Sequence, residues 1–268
     1  MSNSPSDPSK GQQPARAERA TPPDLMSEPC HSFFTEHQKL NDYFHFVTFP
    51  YLNSAQRIRE LVQELTSNEK DKARYAKDLD SADEIEGALL SYLPLLYEML
   101  LCRAVDSYMN YLAGLLALIF RTRPETLRSG AQERLDFILQ HSTMEDLVAA
   151  LAEKRVQQLS YLGMRELSNQ LSRDLGFNLF QSPLEIDTAI RIVETRNLIV
   201  HNRSIVNRVL LQRVPNFPVK LGEPIPLNIK GVFQDLEFLA KSVARIEELA
   251  AKKFAVPQPV PRQTGSKH

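Results

Sequence analysis

An arginine, an asparagine and a histidine fall within six residues in the stretch Glu194-Thr-Arg-Asn-Leu-Ile-Val-His-Asn-Arg-Ser-Ile-Val-Asn-Arg208, at the end of an otherwise apolar helical run. No other part of the sequence concentrates as much capacity for proton transfer and phosphate binding. A histidine near its working range can take or give a proton at neutral pH. A guanidinium offers a planar fork of donors that matches phosphate oxygens. Arg196, Asn197 and His201 are therefore the candidate catalytic residues.

Helical geometry decides which of them can face one another. Glu194, Asn197 and His201 are spaced i, i+3, i+7 and share one face. Arg196 and His201 are separated by ~140° around an ideal helix, so one uninterrupted helix does not aim both at one phosphate. Arg196 falls instead with Ile192, Ile199 and Arg203, on the side expected to be buried. Either the helix unwinds between the two, or two copies of the motif meet across a dimer interface. His201 is expected in the last helical turn, with Asn202 as the candidate left-handed cap. The negative end of the helix dipole there favours its protonated form.

Charge adds a second signal. The chain as a whole carries a formal net charge of −1, which gives no global argument for nucleic acid or membranes. From Thr188 to Lys220, however, Arg191, Arg196, Arg203, Arg208, Arg213 and Lys220 face a single Glu194, a local excess of five. Such an excess suits a phosphate backbone, with Arg191, Arg203, Arg208 and Arg213 as candidate RNA-binding residues. Three plainer readings stand beside this one. Arg196 could pair structurally with an acid such as Asp106, His201 could bond free helix-end carbonyls, and the arginines could be a solvated face.

Elements that would position these residues are helical. Residues 1–29 and 256–268 are polar and hold nine of the 17 prolines, so they are expected to be disordered tails. A first helix is expected over 32–68, with Pro50 a potential break, and a second over 83–120, with Pro94 a potential kink. Ser142-Thr-Met-Glu145 fits a capping box that starts a third. A further helix over 161–175 ends at Gly176. Ser182-Pro-Leu-Glu185 is the clearest helix start, combining an N-cap serine with a proline at the first helical position. That helix runs into the motif. Residues 218–229 could form a small hairpin, and 232–254 a last amphipathic helix. The expected fold is an all-α helical bundle, divided into an N-terminal helical segment over 30–84 and a helical domain over 85–255.

Other residues carry weaker signals. Cys30 and Cys102 do not make a disulfide framework, and a cytoplasmic setting is the simplest reading. The N-terminus shows no secretory signal. Within the apolar region 88–120, Glu98, Arg103 and Asp106 leave only 107–120 free of charge, about 14 residues against the roughly 20 of a membrane helix. His37 and His45, with Glu36 and Asp42, lack a recognised metal spacing. Arg103 and Asp106 read as an ion pair, although Asp106 could instead brace Arg196. Phe33, Phe34, Tyr43, Phe44, Phe46 and Phe49 read as core or interface, with base stacking a minority option.

Arg196-Asn-Leu-Ile-Val-His201 resembles the signature of the HEPN superfamily, the "higher eukaryotes and prokaryotes nucleotide-binding" domains. That signature is an Arg, often followed by a polar residue, then a His after four to six intervening residues, here four. The similarity extends over the helical body from about residue 85 to 254. It implies an all-α domain that forms a homodimer and brings two motifs into one cleft. In active members that cleft cuts RNA without a metal or other cofactor. Carried onto this chain, His201 would assist attack by the RNA 2′-hydroxyl or protonate the leaving oxygen. Arg196 would stabilise charge on the phosphate, Asn197 would orient the pair, and Glu194, Asn202 and Asp106 would support them. Ser204 departs from the glycine of close relatives, so the turn after His201 is expected to differ. The family also contains members that only bind RNA, a nucleotide or a partner protein. A toxin or defence role would bring a cognate antitoxin, such as a nucleotidyltransferase-like protein.

Overall fold

The computed structural model describes residues 21–66, 73–127 and 132–261. Of the tails expected over 1–29 and 256–268, residues 1–20 and 262–268 lie outside the described residues. In chain order the elements are β1 (Leu25–Met26), α1 (Glu28–Leu65), α2 (Ala76–Thr122), a 3-10 turn (Pro124–Leu127), α3 (Leu135–Leu139), α4 (Met144–Ser160), α5 (Met164–Leu175), α6 (Pro183–Asn202), α7 (Arg208–Arg213), α8 (Ile229–Phe254) and β2 (Val260–Pro261). The protein is an all-α bundle.

α1 and α2 form a long antiparallel hairpin. Their seam repeats every four or seven residues, with Leu40, Phe44, Thr48, Ala55 and Val62 facing Ala82, Leu89 and Leu96, all buried. Arg59 bridges Asp83 and Glu86 across it. Pro50 does not break α1, which runs through it. The proline costs about 3 kcal/mol in lost hydrogen bonding and crowding, and packing along the seam offsets this. Pro94 likewise lies inside an unbroken α2. Because α2 starts at Ala76, the boundary expected at residues 84 and 85 falls within a single helix.

The second half of α2 is the centre of the bundle. Leu100, Leu101, Tyr108, Tyr111, Leu115, Ile119 and Phe120 are all buried there. Tyr108 bonds Ser242 of α8 at 3.3 Å, and Phe44 of α1 meets Phe233 of α8 edge-to-face. α2 is the one helix among the described residues long and apolar enough to cross a membrane, with a mean window hydropathy of 1.4. Leu100, Leu101, Val105, Leu112, Leu115, Leu116, Ile119 and Phe120 face the protein core.

A small β element is present, placed differently from the expectation. β1 pairs antiparallel with β2, Leu25 opposite Pro261 and Met26 opposite Val260. Residues 218–229 form no hairpin of their own; Pro224 bridges Ile205 instead. Nor are 21–29 and 256–261 loose, since Met26, Ser27 and Val256 are buried. Glu247 of α8 holds them together, accepting from Ser27 N at 2.7 Å, Ser27 Oγ at 3.0 Å, Tyr111 Oη at 3.3 Å and Gln258 Nε2 at 3.4 Å.

Candidate functional site

α6 begins as its sequence dictates. Ser182 accepts a hydrogen bond from Glu185 N, Pro183 occupies the first turn, and Glu185 returns a bond to Gln181 N at 2.8 Å. Its apolar side, with Ala189, Ile190, Ile192 and Leu198 buried, packs into the bundle. α6 then runs unbroken to Asn202, so the motif lies within continuous helix and its residues point as helical spacing requires.

Arg196 lies on the side facing α2, about a quarter exposed at 26%. Its Nη2 is 2.8 Å from Asp106 Oδ1, and its Nη1 donates to Asn197 Oδ1 at 3.3 Å. Its Nε is buried without a partner among the described residues. Asp106 therefore braces Arg196. Arg103 pairs not with Asp106 but with Glu36 of α1, at 2.6 Å. Cys102 sits beside this pair: burial pushes its thiol up, the Arg196 charge opposes that, and Asp106 and Glu98 reinforce it.

His201 is exposed, in the last turn of α6. It makes no hydrogen bond or ion pair among the described residues, so nothing holds its ring away from a ligand. The helix does not bring it to Arg196, in keeping with the ~140° between them. The left-handed cap is Arg203, at φ 51°, rather than Asn202, which stays helical and donates to Ile205 O. Ser204, at φ 62°, extends the left-handed turn. This is the backbone that a glycine would take most easily.

Three cations of the basic stretch are occupied. Arg191 grips Asp235 of α8 with both terminal nitrogens, and Arg213 bonds Glu194 at 2.7 Å. With Arg196 on Asp106, that leaves Arg203, Arg208 and Lys220 exposed and in no ion pair among the described residues. The positive face is therefore three residues, not an excess of five. Arg191 and Arg213 are held in intramolecular ion pairs, and Glu194 is a buried partner of Arg213 rather than a companion of His201. Asp106 was anticipated as a partner of Arg196, whereas Asp235 could not be paired with Arg191 from local spacing.

Residues after the motif form a lobe under the helix end. Leu198, Val206 and Leu210 make a second small core with Leu211, Val214, Phe217, Val219 and Ile225. Its backbone is laced by Val206 N to Glu223 O and Ile225 N to Ser204 O, both 2.9 Å. Gly222 turns the chain at φ 85°.

Beyond the end of α6, α2 carries an exposed apolar stripe. Tyr92 (68% exposed), Leu95 (55%) and Met99 (53%) continue with helical spacing into Cys102 and Asp106. The stripe thus runs up to the Arg196 pair. Glu98, overlooked as a site residue, accepts a hydrogen bond from Ser204 Oγ. Its signal in the sequence was its place eight residues before Asp106 in an apolar helix. Among the described residues no cluster of three or more His, Cys, Asp or Glu is arranged to hold a metal. Comparison with family models, with curated proteins and with solved structures returns no match.

Proposed function

We propose that the protein is a metal-independent endoribonuclease of HEPN type, working as a homodimer whose site takes Arg196 from one protomer and His201 from the other. The observation that carries this reading is the division of the motif. Arg196 is braced at the edge of an apolar stripe, while His201 projects free into solvent on another side of the same helix. Burial of Tyr92, Leu95 and Met99 against a second copy would bring the two kinds of residue together. His201 takes the proton from the RNA 2′-hydroxyl as its oxygen bonds to phosphorus and the 5′-oxygen leaves, or protonates that leaving oxygen. Arg196 stabilises the charge that builds on the phosphate. Asn197 fixes one guanidinium nitrogen, and Arg203, Arg208 and Lys220 hold flanking phosphates. A toxin or defence role in the cytoplasm, with a nucleotidyltransferase-like antitoxin, fits such an activity.

The test is RNA cleavage by purified protein in EDTA. His201→Ala and Arg196→Ala are each expected to lose about a hundredfold or more in rate. Equal cleavage by all three proteins, or none by the wild type, rules the proposal out.

The Asp106 bond on Arg196 favours one alternative, an inactive dimeric module that binds RNA, a nucleotide or a partner protein. On that reading RNA binding survives His201→Ala and no cleavage product forms.

A further inference from the structure

The turn after His201 is held in an unfavourable backbone. Arg203 and Ser204 are consecutive left-handed residues, at φ 51° and 62°, and side-chain-bearing residues avoid that region. Such a turn persists only where its surroundings over-determine it. Ser204 is nearly buried and anchored three ways. Its N–H donates to Leu198 O at 3.1 Å, its carbonyl accepts from Ile225 N at 2.9 Å, and its hydroxyl donates to the Glu98 carboxylate. The last is charge-assisted and crosses to another helix.

This contact is in register with the one that braces Arg196. Eight residues separate Glu98 from Asp106 on α2, and eight separate Arg196 on α6 from Ser204, two residues past its end. The antiparallel helices, rising ~1.5 Å per residue, keep step over the ~9 Å from Arg196 to the end of α6, and the left-handed turn then brings Ser204 to Glu98. Glu98, Cys102 and Asp106 form one i, i+4, i+8 ridge. One carboxylate of the ridge grips the start of the motif and the other the turn beyond its histidine. Rotation or sliding of α6 against α2 would break both.

We propose that Glu98 is a positioning residue for His201, fixing through the Ser204 hydroxyl the left-handed turn that ends α6 and so the direction of the imidazole. Its kinetic consequence rests on the ribonuclease reading; its structural consequence does not.

The experiment compares Glu98→Ala and Glu98→Gln in the wild-type and Ser204→Gly backgrounds. Glu98→Ala is expected to lower kcat about tenfold, with KM within about twofold. Glu98→Gln, whose amide oxygen still accepts the serine hydroxyl, recovers most of that loss. In the Ser204→Gly background Glu98→Ala produces no further loss, because glycine takes the left-handed turn without help. In parallel, the HN–Hα coupling of Ser204 and the ring resonances of His201 are read by NMR. Both are expected to move in Glu98→Ala and to return in Glu98→Gln. Unchanged resonances in folded Glu98→Ala, or an equal loss in both backgrounds, overturns the proposal. Failure of the wild type to cut RNA refutes the ribonuclease reading alone, and the resonances still decide the role of Glu98.

Discussion

At Arg196, structure and chemistry can be separated by one substitution. The guanidinium divides its fork between Asp106 and Asn197. Asp106 is 41% exposed, so the ion pair contributes no more than about 1 kcal/mol after solvent screening. Arg196→Lys keeps a charge for Asp106 but has no fork to reach Asn197 and phosphate together. The melting temperature should then fall by a few degrees at most, while cleavage of RNA falls about tenfold or more. Thermal unfolding monitored by circular dichroism, beside initial cleavage rates, checks this; a rate that tracks the folded fraction would make Arg196 purely structural. Part of this site was legible in advance. The wide angle between Arg196 and His201 follows from residue count alone, and Asp106 was in view as a partner. The fates of Arg191 and Arg213 were not legible, because Asp235 lies 44 residues away in sequence, and Glu194 reaches Arg213 only once α7 folds back. The cap falls on Arg203, one residue past the expected Asn202, whose side chain bonds Ile205 O.

Among the elements, helix ends written in local chemistry were readable. Ser182-Pro-Leu-Glu185 starts α6 as its residues require, and Gly176 ends α5 at φ 58°. At α4 the cap is Thr143, accepting from Asp146 N at 3.1 Å, one residue on from the expected Ser142. Long-range pairing was not readable: residues 218–229 have strand-like alternation, yet their partner is the turn at Ile205, a choice made by the small core around Val206 and Leu210. The stripe on α2 was hidden too, because an apolar residue in an apolar helix does not announce which face stays bare. In the proposed dimer, the stripe of large side chains left open beside the motif packs against a second copy. The double substitution Tyr92→Glu and Leu95→Glu should leave the protein monomeric by light scattering and unable to cut RNA. Mixing His201→Ala with Arg196→Ala protomers tests the shared site directly. Each mixed dimer regains one intact Arg–His pair, so about a quarter of wild-type cleavage should return with random exchange. No recovery after verified exchange would place both residues of a working site in one chain.

Over the whole molecule, the two ends of the described chain are joined at a buried carboxylate. Composition pointed to loose tails, since 21–29 and 256–261 are short of apolar residues; of the few present, Met26 and Val256 are buried nonetheless. Their polar groups are satisfied by Glu247, itself only 1% exposed. No cation balances it among its bonded partners. Its charge is instead met by Ser27, the N-cap of α1, and by the positive end of that helix. The charge is felt nearby: burial first, then Glu247, pushes the Cys30 thiol and the Tyr111 hydroxyl up from their ordinary values. Glu247→Leu would fill the space but strand the Ser27 N–H and hydroxyl, at about 1–3 kcal/mol for each unmet buried group, and leave the Tyr111 hydroxyl only the Val243 carbonyl at 3.4 Å. A loss of about 3–5 kcal/mol in urea unfolding is expected, because removing one partner of a buried charged network leaves the others unpaired. Glu247→Gln keeps one acceptor oxygen and turns an NH2 toward a donor, so it should lose about 1–2 kcal/mol. If Leu proved as stable as Glu at this position, the junction would be incidental and the ends held by β1, β2 and apolar contact alone. The ordering Glu, Gln, Leu in falling stability is what a carboxylate that anchors both chain ends requires.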